Sequence, residues 1–365
     1  GEAQTKTILE ELGLSRYLVR EFHQESFLFS AVHILLSITA FLGNTLILVV
    51  LHKETSLHPP SKLLYRCLAT TDLLVGLVNQ PLYATFLISC TLQNWSIFRF
   101  TYDGVYITNY VLCGVSLFTL TAISVDRLPA LLLGLRYKRI VTLKRTYAIL
   151  ALFWVVSLVG TPFYILSRRI SRWYSSIAVS SCLVISIASY TKIFCALSYH
   201  QAQVQDHVQQ QPGQPNALNM ARYRKAVHSA LWVQLALVVC YLPYFIVTIV
   251  ISESSPYPPY LLVVISEIAV VLVYFNSTLN PFLYCWKIRR RLQPLSINAA
   301  DATYIASYAL CGGSLMTMAI SVDRLLALLL GLRYKQTVTL KCTYIIAAAI
   351  WVLFSAAALC YSIHT

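Results

Sequence analysis

A few polar residues stand inside stretches that are otherwise apolar, and their grouping suggests chemistry. Asp72 lies in "LATTDLLVGL", Asn44 in "LGNTLILVV", and Ser116 in a third apolar run; Asn276, Ser277 and Asn280 share "YFNSTLNPFLY". Carboxylate, hydroxyl and amide oxygens converging on one cavity make a hard-ligand site for a cation. The same groups could instead hydrogen-bond to one another and bind helices together. Spacing alone leaves both readings open.

A second group sits where an apolar run ends. Asp126 and Arg127 are neighbours there. Such a pair can hold itself closed and release the arginine when a partner docks, or its members can simply snorkel to the interface. Pro243 and Pro281 interrupt two further runs. A proline inside a helix removes a backbone hydrogen bond and kinks it, so two of them beside a polar cavity make a hinge pair. Membrane helices also tolerate proline without any such role.

These residues need long apolar elements to hold them. The chain has 365 residues, of which 58% are hydrophobic and 12% charged, against about half and a quarter in soluble domains. Spanning about 30 Å of hydrocarbon takes roughly 20 apolar residues. Seven such runs are read at 27–52, 63–89, 103–127, 147–167, 173–198, 227–251 and 260–286, with two more near 302–322 and 343–362. The expected fold is therefore an all-α membrane protein, a seven-transmembrane helix bundle plus two extra C-terminal apolar segments, lying in the lipid bilayer.

The net charge of +14 is concentrated between runs. Lys53, Lys62 and Arg66 flank the first connection, and Arg136, Lys138, Arg139, Lys144 and Arg145 fill the third. The Gln-rich fifth ends in Arg222, Arg224 and Lys225, and "WKIRRR" closes the seventh run. Positive connections face the cytoplasm, so the amino terminus is expected outside, in a multi-pass protein of the plasma membrane. Nucleic acid is not an expected partner, because no soluble basic domain exists to bind it. Residues 1–26 are polar and mixed in charge, and read as an extracellular segment without a cleavable leader. Asn94 opens the sequon Asn94-Trp95-Ser96 in the first outer loop, a glycosylation position. The ten cysteines show no metal-binding spacing.

One outer connection, "SRRISR" at 167–172, breaks the charge pattern. Arg168, Arg169 and Arg172 would either ring the mouth of the bundle and attract an anionic ligand or reach lipid head groups.

Taken in order, these motifs resemble a rhodopsin-like G-protein-coupled receptor over residues 27–292. The resemblance rests on Gly43-Asn44, "LATTD" ending at Asp72, Asp126-Arg127, Trp154, "CYLP" with Pro243, and "NPFLY" with Asn280, Pro281 and Tyr284; "WKIRRR" is similar to the start of the short amphipathic helix that follows. "LRYK" after Asp126-Arg127 is similar to the adenosine and melanocortin branch. The departures are also specific. Tyr102 replaces the usual cysteine at the outer end of the third span, and 167–172 holds neither a cysteine nor a long loop; melanocortin receptors share both features. Leu128, Tyr241 and Leu237 replace the family's usual residues in the switch motifs, and the fifth span has no proline.

The resemblance implies a receptor that binds an extracellular ligand, activates heterotrimeric G proteins and catalyses no covalent reaction. It implies an allosteric sodium ion at Asp72, Ser116, Asn276, Ser277 and Asn280, with no other cofactor. Arg127 would meet the G protein and Leu135 would be the apolar plug of the second inner loop. Tyr284 and Tyr190 would be moving partners, with Asp126, Tyr241, Pro243 and Pro281 in the switch. Asn109 stands where amine receptors carry an aspartate, which disfavours an amine. Asp103 and Glu267, near the outer rim, suit a basic peptide or a divalent ion. The rival readings are a non-signalling pseudo-receptor and a repeat-containing transporter, since transporters are built from repeats.

A repeat is indeed present. "SVDRLPALLLGLRYK" at 124–138 returns as "SVDRLLALLLGLRYK" at 321–335, and Trp351 matches Trp154. Residues 293–365 thus read as a partial copy of the third and fourth spans. Eleven residues separate Cys311 from Asp323, against twelve between Cys113 and Asp126. The copied helix would lose about 100° of register, and Arg324, Arg333, Lys335 and Lys341 would face outside, against the charge rule. A fusion of neighbouring related genes, or a gene-model join, is the expected origin.

Overall fold

The computed structural model describes residues 23–53, 57–132, 137–210, 235–251 and 259–292. Leu135 and the repeat at 301–365 lie outside them. Among the described residues there are seven long helices: α1 (His23–Lys53), α2 (Pro59–Thr91), α3 (95–132), α4 (Leu143–Leu166), α5 (Arg168–Gln210), α6 (Leu235–Ile251) and α7 (Tyr260–Leu292). Six are long and apolar enough to cross a membrane, and the described part of α6 is shorter. A single helical turn, Tyr137–Ile140, follows α3.

Both faces of these helices are apolar, as a bilayer demands. In α1, Phe29, Val32, Leu36, Ala40, Ile47 and Leu51 are buried, while Phe27, Ile34, Ile38 and Val49 are exposed on the other side. The three-and-four spacing of the buried set marks the protein-facing stripe. α1 packs on α2 and α7, α2 on α3, α3 on α5, and α4 on α5. Leu68, Val75, Leu117, Leu120, Leu237, Tyr241, Val264 and Tyr274 join these helices in one core.

Short connections need particular residues. Pro59 and Pro60 open α2, where the absent N–H costs nothing. Between α2 and α3 the chain turns over Leu92, Gln93 and Asn94; Gln93 has φ 55°, and Asn94 caps α3 by accepting from the Ile97 amide at 3.3 Å. α3 thus begins at Trp95, well before the apolar run at 103. The charges on Arg99 and Asp103 hid this amphipathic turn, which buries Phe98 and Thr101.

Two helices carry a π-turn, at Val75–Asn79 in α2 and Asn109–Cys113 in α3. Pro81 explains the first. It has no N–H to give the preceding turn, and the Gln80 amide bonds to the Val75 carbonyl instead. Gly114 closes the second, and a Cβ there would stand 2.8 Å from Ser157 Oγ, so α3 and α4 touch at this point.

The expected loop at 167–172 is not a loop. Only Ser167 separates α4 from α5, and the Ser171 amide donates to the Ser167 carbonyl at 3.0 Å. The Tyr110 hydroxyl donates to the Ser171 carbonyl at 3.0 Å and ties this first turn to α3.

Candidate functional site

Asp72 lies at the centre of the bundle, fully buried. Its Oδ1 accepts from Ser116 Oγ at 2.8 Å and Ser277 Oγ at 2.9 Å, and its Oδ2 accepts from Asn280 Nδ2 at 2.5 Å. Three helices, α2, α3 and α7, therefore meet on one carboxylate. α1 joins through Asn44, whose Nδ2 donates to the Ala40 carbonyl at 2.9 Å and the Ser277 carbonyl at 3.0 Å. Among the described residues Asn44 Oδ1 and Asn276 Nδ2 have no hydrogen-bond partner. Asn276 is buried nearby in sequence but makes no hydrogen bond to Asp72, unlike Ser277 and Asn280. Hydroxyl lone pairs, a carboxylate and an unpaired amide oxygen suit a small hard cation.

At the inner end, marked by Asp126 and Arg127, the two residues do not chiefly hold each other. Asp126 Oδ2 accepts from Ser61 Oγ at 2.9 Å and its Oδ1 accepts from the Tyr137 hydroxyl at 2.7 Å; Ser61 and Tyr137 lie 3.0 Å apart. Arg127 reaches Asp126 only at 4.0 Å. Its guanidinium donates to the Tyr65 hydroxyl and lies 5.3 Å from that ring's centre. The reason is competition: Asp126 is buried and its two oxygens already have neutral donors, whereas Arg127 keeps an exposed flank and an aromatic face. Burial, reinforced by the carboxylate it donates to, pushes the Tyr137 phenol up to about 12. It stays a donor at physiological pH. Tyr190 of α5 is buried within electrostatic reach of Ser124 and Arg127.

In the outer half, Asn109 faces inward. Its Oδ1 accepts from Asn79 Nδ2 at 2.9 Å, from the Tyr274 hydroxyl at 3.0 Å and from Cys113 Sγ at 3.1 Å, while Thr108 Oγ1 donates to Asn79 Oδ1 at 3.0 Å. Asn109 thus seals a polar floor. Above it the Tyr83 hydroxyl donates to both oxygens of Glu267, at 3.0 and 2.9 Å. Asp103 is exposed on the first turns of α3, and Arg172 is exposed on the first turn of α5.

Tyr102 fills the place of the missing cysteine with aromatic contact. Its ring centre lies 5.7 Å from Phe98, 5.7 Å from Phe86 and 4.9 Å from Tyr106. Leu237 and Tyr241 are buried in the core, and Pro243 lies within helical α6. α7 runs on helically through Pro281 and Tyr284. Asn94 is exposed, and its cap uses only the amide oxygen. A separate apolar groove of about 650 Å³ between α3, α4 and α5 is lined by Phe118, Val125, Phe153 and Ile185 among others. It carries too few polar groups to orient a polar ligand.

Sequence reasoning missed Ser61, Tyr65, Tyr83, Tyr137 and Tyr274. Tyrosines are common in this chain and break no apolar pattern, so only their partners reveal them. Tyr137 had one signal, its place in "LRYK".

A family model described as "7 transmembrane receptor (rhodopsin family)" matches residues 43–284. A QRFP-like peptide receptor of Branchiostoma floridae is 27% identical over 283 residues, covering 69% of this chain and 72% of its own. Adenosine receptor A3 of Ovis aries is 25% identical over 284 residues, covering 71% and 85%, and that of Bos taurus is 25% identical over 285 residues, covering 71% and 86%.

Proposed function

The chain belongs to the rhodopsin family of seven-transmembrane receptors, and from that premise we propose how this receptor switches. It is a multi-pass membrane protein and not an enzyme. It binds an extracellular ligand and signals through heterotrimeric G proteins. A ligand can drive such a change only by binding one arrangement of the bundle better than the other.

The knot of Asp126, Ser61 and Tyr137 is the observation that carries the proposal. It joins α2, α3 and the turn after α3 at the face that a G protein must enter. Held there, the inner end stays shut. Arg127, already turned to Tyr65 rather than to Asp126, is the group offered to the G protein when the knot opens. Tyr190 steadies Arg127 from α5. Sodium held by Asp72, Ser116 and Ser277 ties three helices together and favours the shut arrangement. Asn280 donates to the carboxylate there, and Asn44 supplies a free oxygen. The amino terminus lies outside the plasma membrane, with Asn94 as its nearby glycosylation position and Arg172 among lipid head groups. Residues 293–365 are a fused remnant outside the switch.

The test is nucleotide exchange on a purified G protein, with the full chain in lipid nanodiscs and a ligand panel. Arg127→Ala should reduce exchange about tenfold or more, a loss of at least roughly 1.4 kcal/mol in coupling, while surface expression stays near normal. Undiminished exchange in that variant would overturn the role given to Arg127.

A further inference from the structure

Two buried side chains in the outer half have no hydrogen-bond partner among the described residues. Both ring nitrogens of His33 and both amide atoms of Gln80 lack hydrogen bonds, although each residue is 0% exposed. A buried polar group without a partner is costly. A pair of them on facing helices calls for something that satisfies them.

Helix register places them together. Ser30 bonds to the Ala84 carbonyl at 3.3 Å and Ser37 to the Gly76 carbonyl at 2.6 Å. These antiparallel contacts bracket His33 on α1 and set Gln80 of α2 opposite it. α1 and α7 run parallel. Tyr260 bonds to Glu25, 235 positions apart, and Asn44 to the Ser277 carbonyl, 233 positions apart. That offset sets His33 level with Glu267. The His33 ring lies 4.5 Å from the ring of Tyr83 and 5.3 Å from that of Tyr274, and Tyr83 is the residue that donates to Glu267.

The chemistry at this level is acidic. Glu267 is half-buried, and among the described residues it accepts from the Tyr83 hydroxyl only and pairs with no lysine or arginine, whereas a carboxylate offers about four acceptor sites. Glu25 adds a second carboxylate at the rim. Neutral imidazole and amide groups each bring one acceptor and at least one donor. Tyr274, Asn109 and Asn79 close the floor.

We propose that His33, Gln80 and Glu267 form a binding site between α1, α2 and α7 for an organic cation bearing N–H donors, a guanidinium or primary ammonium group, with a carbonyl acceptor beside it. Glu267 takes the charge. His33 and Gln80 take further N–H groups on their acceptor atoms and donate to the carbonyl. Tyr83 orients the Glu267 carboxylate. The proposal rests on the receptor reading, since these residues lie in the half of the bundle that an extracellular ligand would enter.

The experiment uses the purified full chain in nanodiscs, with L-argininamide as the probe and tetramethylammonium as a cation of equal charge without N–H groups. Thermal unfolding is followed as each is raised to millimolar concentration. L-Argininamide should raise the midpoint saturably, by at least about 2 °C, and tetramethylammonium should not. Glu267→Gln, which keeps the Tyr83 bond, should abolish the rise; His33→Leu and Gln80→Leu should each shift half-saturation about tenfold upward. No rise in the wild type, an equal rise with tetramethylammonium, or an undiminished rise in Glu267→Gln overturns the proposal. Nucleotide exchange on the same samples separates the two readings. Exchange driven by any ligand of the panel without probe binding sinks the binding site alone, and probe binding with no exchange under any ligand of the panel sinks the receptor reading alone.

Discussion

At the scale of single residues, the decisive groups are carboxylates that neutral donors surround. Asp72 was legible from sequence because a charge in an apolar run has few affordable uses, and Ser277 and Asn280 follow in one motif. The arrangement at Asp126 was not legible, because Ser61 and Tyr137 come from other segments, 65 and 11 positions away. Two outcomes are expected. Replacing choline chloride with sodium chloride at equal ionic strength should raise the unfolding temperature of the wild type, and Asp72→Asn should remove that difference; a sodium effect that persists leaves only a packing role for the cluster. Tyr137→Phe deletes a hydrogen bond to a charged group, worth about 1.5–3 kcal/mol. Basal nucleotide exchange should rise about tenfold, and unchanged basal exchange would show that the knot does not hold the inner end.

Among elements, the helices themselves were readable from apolar length, and their ends were not. Hydropathy sees the hydrocarbon layer, so it placed the start of the third span at 103 although α3 begins at Trp95. It also took the polar 167–172 for a loop, whereas Ser171 and Tyr110 hold it as the first turn of α5. The π-turns were invisible because Pro81 accounts for only one of them, and no sequence pattern marks the other. They matter for function, since they end at Asn79 and begin at Asn109, the two sides of the polar floor. Gly114 is the point where α3 leans on α4. Gly114→Leu forces a side chain into Ser157 and should cost about 1–3 kcal/mol, seen as a lower unfolding temperature. Gly114→Ala should cost less, because Ser157 Oγ can rotate away; equal effects of the two would argue against steric contact as the cause.

For the whole molecule, one seven-helix unit carries the function, and the family match ends at residue 284. The repeated segment was read from sequence alone, through identity between 124–138 and 321–335. Truncation after Ser296 should leave surface expression and nucleotide exchange within about twofold of the full chain, as expected if the copied segment, one residue shorter between Cys311 and Asp323 than between Cys113 and Asp126, adds no working span. Arg324→Ala should leave exchange unchanged where Arg127→Ala does not. Loss of surface protein on truncation, or of exchange in Arg324→Ala, would make the segment part of the working bundle.

The aromatic ladder at the outer end has a consequence for chemistry outside the cell. Phe86 of α2 meets Phe98 and Tyr102 of α3, and Trp95, Phe98, Tyr102 and Tyr106 continue the ring contacts along α3, each adding about 0.5–1.5 kcal/mol beyond burial. Cys67, Cys90, Cys113, Cys182, Cys195 and Cys240 are free thiols. Nothing at this corner depends on an oxidising compartment, so dithiothreitol should leave the response intact at concentrations that silence receptors clasped by a bridge between cysteines. Among the described residues the outer end holds no cystine for a reductant to break.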